Sequence, residues 1–149
     1  MKKLFFFLAS LLVSVSMFAV TELKPVEADV PNGGDGGYQS DPFQFTYSGV
    51  SLEWEGAYYS TEFRIYAGKT ITLSADKEIS KVEFDGRVNA GFHAETSAGE
   101  ITLGEDYTSQ TTNSPIVVIE NINAKSVTLS VSKQMRASAI RVTFADGEE

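Results

Sequence analysis

The chain has 149 residues, no cysteine, one histidine, and 20 acidic against 12 basic side chains, a formal net charge of −8 at neutral pH. Without cysteine there is no disulfide, no thiol catalysis and no acylated lipoprotein cysteine. The negative charge argues against nucleic acid and anionic membrane surfaces as partners, because both reward basic patches.

The chain opens with Met1-Lys2-Lys3, then the apolar run LFFFLASLLVSVSMF from Leu4 to Phe18, then the small residue Ala19. A basic start, an apolar stretch and a small residue are the three parts of a bacterial secretory signal peptide, expected here over residues 1–19. The apolar run of about 15 residues is short for crossing roughly 30 Å of hydrocarbon, so cleavage is expected rather than retention as an anchor. No membrane insertion is expected after cleavage. Met17 is larger than the residue such sites prefer three positions back, which leaves the cut position open. Loss of Lys2 and Lys3 leaves 10 basic against 20 acidic residues, a charge of about −10. Secretion or periplasmic residence is the expected localisation.

Residues 20–41 contain Pro25, Pro31 and the run NGGDGG from Asn32 to Gly37. Prolines and clustered glycines break regular elements and resist ordering, so a short flexible linker is expected. Asp29, Asp35 and Asp41 could offer oxygens to calcium. The stretch lacks the donor alternation and terminal glutamate of an EF-hand loop and does not repeat, so no metal or other cofactor is expected.

Residues 42–145 read almost wholly as β. FQFTY places Phe43, Phe45 and Tyr47 on one face. FRIYA places Phe63, Ile65 and Ala67 against Arg64 and Tyr66. KTITLSA places Ile71, Leu73 and Ala75 together, KVEFD places Val82 and Phe84 together, and EITLG does the same with Ile101 and Leu103. KSVTLSV aligns Val127, Leu129 and Val131, and AIRVTF aligns Ile140, Val142 and Phe144. Successive strand side chains point to opposite faces, so each segment has one apolar and one polar side. PIVVIENI is apolar without a break from Ile116 to Ile119, which suits a central strand covered on both sides or a strand with a bulge. Turns are expected at Ala67-Gly68-Lys69, Asp76-Lys77-Glu78 and Asp85-Gly86-Arg87. No stretch after the signal shows sustained helical spacing. So many half-apolar strands cannot bury their faces in one flat layer. The expected fold is all-β, an antiparallel two-sheet sandwich, jelly-roll-like, with an acidic tail at 146–149.

FRIYAGKTITLSADKEISKVEF together with AKSVTLSVSKQMRASAIRVTF resembles a group of small secreted β-sandwich proteins and modules of Bacteroidetes. In that group "R-x-Y-x-G-x-x-[ILF]-T-[IL]-S" precedes "I-x-K-[IV]-E-F", and a closing pair of the type "K-S-V-T-[FL]-x-V…R-I-x-x-I-x-V-x-[FY]" follows. Arg64, Tyr66, Gly68, Ile71, Lys81, Val82, Phe84, Val127, Leu129, Arg136, Ile140 and Val142 occupy the corresponding places. The resemblance runs from about Phe43 to Phe144. The group carries no established activity. Its modules resemble carbohydrate-binding or cell-surface accessory domains, which the resemblance implies here by analogy of fold. RVNAGFHAETSAGE departs from the group's glycine- and tryptophan-rich loops.

Catalytic candidates are sparse. A serine triad would have to use His93, and no G-x-S-x-G elbow surrounds any serine. Zinc needs three or four converging ligands, and only Glu95 stands near His93 in sequence. A carboxylate pair for glycoside hydrolysis is easy to draw from 20 acids and therefore carries no information. No enzymatic activity is expected.

LEWEGAYYS, from Leu52 to Ser60, holds the chain's only tryptophan. As a strand it puts Leu52, Trp54 and Tyr58 on one face and Glu53, Glu55 and Tyr59 on the other. The face shared with leucine suits the core, whereas a break at Gly56 would release Trp54 into a loop. Tyr59, Tyr66 and Arg64, with Glu53 and Glu55, fall on the polar side. Tyrosine faces stack on sugar C–H surfaces while acids and arginine bond hydroxyls. The same tyrosines would serve equally to cover a sheet edge. The candidate ligand-binding set is thus Tyr59, Tyr66, Arg64, Trp54, Glu53 and Glu55, with Tyr38, Phe92 and Tyr107 secondary and Glu105-Asp106 as a weaker cation-binding pair. Two functional classes stand: a secreted, non-catalytic module binding glycan through surface aromatics, and a structural or adhesive envelope protein whose strand edges meet another protein.

Overall fold

The computed structural model describes residues 19–24, 42–59, 62–104 and 115–145. The acidic tail, the signal sequence up to residue 18 and residues 25–41 of the expected linker lie outside the described residues, as do Tyr38, Glu105, Asp106 and Tyr107. Among the described residues period-two patterning produces eleven strands: β1 Val20–Leu23, β2 Phe43–Tyr47, β3 Val50–Trp54, β4 Gly56–Tyr59, β5 Glu62–Ile65, β6 Thr70–Val88, β7 Ala94–Thr96, β8 Glu100–Leu103, β9 Pro115–Glu120, β10 Ala124–Val131 and β11 Met135–Phe144. The fold is all-β, every strand pairing is antiparallel, and one connected sheet nearly closes on itself in a barrel-like way.

The sheet turns through β6, which runs for 19 residues. Its first part, residues 70–75, pairs with β3 on one side and β10 on the other. Its second part, residues 79–88, pairs with β11 and β9. One wing is therefore β2-β3-β6-β10-β7 and the other is β8-β9-β6-β11, with β5 and β1 sharing the far edge of β11 and β4 outside β5. A turn is expected at Asp76-Lys77-Glu78, but the chain stays extended there. Only the ladder lapses: the β10 register jumps from Ser74↔Ser126 to Ile79↔Ala124. Three charged residues mark the crossing because the strand presents no core face between the wings, and all three are exposed.

Asp85-Gly86-Arg87 likewise lies inside β6 rather than in a turn. Gly86 sits opposite Ala137 with φ +150°, and a Cβ there would collide with the Arg136 carbonyl. Glycine thus acts as a device for close strand approach beside the bulge in β11, not as a chain reversal.

A second correction concerns the linker. Val20–Leu23 are not linker but β1, in register with β11 from Val20↔Thr143 to Leu23↔Ile140, and Leu23 is fully buried. Four residues are too short to show their period, so the signal was masked by the prolines and glycines that follow.

Inward rows cross several strands. Phe45, Leu52, Leu73 and Val127 form one, and Phe43, Trp54, Ile71 and Leu129 the next. In the second wing Leu23, Ile140, Phe84 and Val117 align. All twelve are buried. PIVVIENI becomes β9, flanked by β6 and β8, with Ile116 slipped between the pairs Val117↔Phe84 and Pro115↔Asp85. The bulge explains why its apolar run ignores alternation. Where β2 comes against β4, the wings are fastened by rings. Phe63 of β5 meets Trp54 edge-on at 5.2 Å between centroids, Phe45 at 6.4 Å and Tyr58 at 6.3 Å, and Phe43 stacks on Trp54 at 5.1 Å. Burying each such ring is worth roughly 1.5–3 kcal/mol, with a further ~0.5–1.5 from ring geometry.

Phe63→Ala is expected to lower stability by about 3–5 kcal/mol, read as a shifted urea midpoint by Trp54 fluorescence. A loss below ~1 kcal/mol would mean that this ring does not fasten the wings.

Candidate functional site

The outward side of the second wing carries two charged rows on the same face, built from the same strands with opposite logic. The first runs Glu22, Arg141 and Glu83 across β1, β11 and β6. Signs alternate, as cross-strand pairing favours. Arg141 forms a two-pronged contact with Asp85, through Nη1 to Oδ2 and through Nη2 to Oδ1 at 2.7 Å. Its Nε donates to Glu83 Oε2 at 3.2 Å, and Nη1 stands 3.8 Å from Glu22 Oε2. Asp85 is 4% exposed, the one buried charged residue among those described. The Asp85 hydrogen bond, above all, raises the Arg141 pKa beyond its already high value; burial opposes this, and the charges of Asp85 and Glu83 add to it. Three carboxylates surround Arg141, so its charge is met within the fold. Its role is to hold β1, β11 and β6 together.

The second row has one sign. Register places Arg64 of β5 opposite Arg136 of β11, and Arg136 opposite Arg87 of β6. Ala57 of β4 continues the row beyond Arg64. Directly opposed Cα atoms are about 4.5–5.5 Å apart, so three guanidinium stems start within about 10 Å. Like charges in opposition destabilise a sheet, so pairing alone does not account for this row. Glu62 is its one acid among the described residues. Arg64 donates to Glu62 Oε1 from Nε at 3.0 Å and from Nη2 at 2.7 Å, and Arg87 Nη2 stands 4.0 Å from the same oxygen. Arg136, in the middle, has no carboxylate partner among the described residues. Its Nε meets the neutral amide oxygen of Gln134 at 3.3 Å. The Arg64 guanidinium carbon also lies 4.1 Å from the centre of the Tyr59 ring, a cation–π contact.

Of the six expected binding residues, Tyr59 and Arg64 come into direct contact. Tyr66 continues the outward side of β5 two positions after Arg64 and is half-buried; its amide donates to the Glu55 carbonyl at 3.3 Å. Glu55 itself forms the bend between β3 and β4. Glu53 does not join them. It is exposed on β3 beside Thr72, where Gln44 Nε2 donates to its Oε2 at 3.0 Å, on the polar side of the other wing. Trp54 is corrected to a core residue. It is 1% exposed and its Nε1 donates to the Ala57 carbonyl at 3.2 Å. The strand does break after Trp54, yet the ring points inward because Leu52, Trp54, Gly56 and Tyr58 keep one parity through the bend. Phe92 is also core, at 2% exposure, and His93 is exposed.

Arg87, Arg136, Glu62 and Gln134 escape a reading of local motifs, because Arg64, Arg87 and Arg136 lie in three separate segments. Arg87 falls in an expected turn and no alternating segment covers the others, and nothing along the chain says which strands are neighbours. In comparison with known proteins, no family model matches the chain, and no curated protein or solved structure matches it at a significant level.

Asp85→Ala removes the two-pronged partner of Arg141, leaving Glu83 and Glu22, and is expected to cost about 1.5–3 kcal/mol, measured by urea unfolding. A cost near zero would show that Arg141 is held by Glu83 and Glu22 alone.

Proposed function

We propose that the chain is an exported, non-catalytic carbohydrate-binding module on a jelly-roll-like, two-sheet sandwich, with the two wings as its stacked layers. The observation that carries this reading is the stacked pair of Tyr59 and Arg64, with Tyr66 further along the same strand face. Arg64 is pinned from below by the ring and from the side by Glu62. A side chain already fixed in this way loses little freedom on binding, and a planar guanidinium accepts a sugar face while its edge donates to hydroxyls. The resemblance to secreted β-sandwich modules of Bacteroidetes agrees with such a role.

Strand addition by a partner protein is the second reading. Among the described residues five strands, β1, β2, β4, β7 and β8, are paired on one side only, and they are three to five residues long. Short edges are poor templates for pairing, so the side-chain face is favoured over the edges.

Tyr59→Ala is expected to weaken polysaccharide binding at least tenfold in affinity electrophoresis across a panel of neutral and charged polymers, with an unchanged melting temperature. Binding that survives this change, and fails with proline placed in β2 or β7, would favour strand addition.

A further inference from the structure

We infer that the row Arg64–Arg136–Arg87 is an anion-binding subsite, so that the saccharide recognised by this face carries carboxylate or sulfate groups. The inference deepens the glycan-binding reading and rests on it. Its basis is the contrast between the two outward rows. Beside Arg141 the sheet supplies Asp85, Glu83 and Glu22, whereas among the described residues the neighbouring row has three arginines and Glu62 alone. In a chain with 20 acids and 12 bases, placing three guanidinium groups in register against one acid runs against both composition and cross-strand preference. A row of cations that the fold leaves under-neutralised is completed by an outside anion.

The geometry shows what that anion looks like. Glu62 Oε1 already lies against Arg64 and 4.0 Å from Arg87, an internal carboxylate held by the two outer members of the row. Arg136 sits between them and, among the described residues, meets only Gln134 through a side-chain hydrogen bond. Guanidinium forks match carboxylate and sulfate oxygens in pairs, which makes arginine rather than lysine the fitting residue here. The side chains of Arg64 and Arg87 keep 24% and 38% of their surface exposed, enough to be reached and little enough for a contact to be partly shielded from water. Tyr59, stacked beneath Arg64, backs its guanidinium and holds it on this face. The overall charge of −8 repels polyanions at long range, so any binding must come from this local row and must fall with salt.

The test uses the purified protein with three polymers: dextran, dextran sulfate and polygalacturonate. The expected result at low ionic strength is binding to one or both anionic polymers and at least tenfold weaker binding to dextran. Which anionic polymer binds names the group as sulfate or uronate. Arg136→Gln is expected to weaken that binding at least tenfold with the melting temperature unchanged. Glu62→Gln removes the internal carboxylate and is expected to strengthen binding severalfold, an effect that a purely structural ion pair would not produce. Lys125→Gln, an exposed lysine on β10, should change nothing. The inference is overturned if Arg136→Gln and Lys125→Gln weaken anionic binding equally, or if Glu62→Gln leaves it unaltered. Dextran binding that depends on Tyr59 but not on Arg136 would sink the anionic subsite and keep the glycan reading. Failure of all three polymers would sink both.

Discussion

One extended strand holds this fold together. Over its first part β6 forms ladders with β3 and β10; over its second it forms ladders with β11 and β9. Backbone N–H and C=O groups must be paired wherever water is excluded, and β6 pairs on both edges in both wings. Neither wing can assemble without it. Because the strand does not stop at Asp76–Glu78, the two wings are covalently and geometrically fixed to each other, and the aromatic contacts of Phe63 with Trp54 and Phe45 fasten the far side. This gives a stiff outward face on β4, β5, β11 and β6, where side-chain positions are set by register rather than by loops.

That face divides its charges between two tasks. Arg141 is enclosed by carboxylates from β1 and β6, and the buried Asp85 makes the enclosure costly to open. Arg64, Arg136 and Arg87 share a single acid among the described residues. The first arrangement joins strands. The second spends sheet stability on a concentration of positive charge, in a protein that is otherwise strongly acidic. Two glycines make room for it: a Cβ on Gly56 would meet the Arg64 carbonyl, and one on Gly86 the Arg136 carbonyl. The strands carrying the row therefore approach their neighbours more closely than side-chain-bearing residues allow.

The alternation of FRI, TITLS, KVEF, SVTLSV and AIRVTF determined which residues are dry. Ile71, Leu73, Val127 and Leu129 are all fully buried, as parity requires. Parity also assigned Tyr58 and Trp54 inward and Tyr59 and Arg64 outward. It failed at Asp76–Glu78 and Asp85–Arg87, where polar residues or glycine looked like turns but mark a wing crossing and a close strand approach. It failed too at Val20–Leu23, a strand too short to announce itself. Of the candidate site, Tyr59 and Arg64 were legible, whereas Glu53 belongs to the other wing, on β3 with Trp54, despite standing close to Tyr59 in sequence.

Local alternation is a property of neighbouring residues, so the chain by itself determined the all-β character, the inward and outward sides of most strands and the absence of a thiol or disulfide chemistry. Which strands lie side by side is a property of distant residues. Arg64, Arg87 and Arg136 belong to separate segments, and no local pattern relates them; hydrogen-bond register across β5, β11 and β6 alone brings them into one row. Tertiary structure decided the site for that reason: a charged row perpendicular to the strands has no image along the sequence.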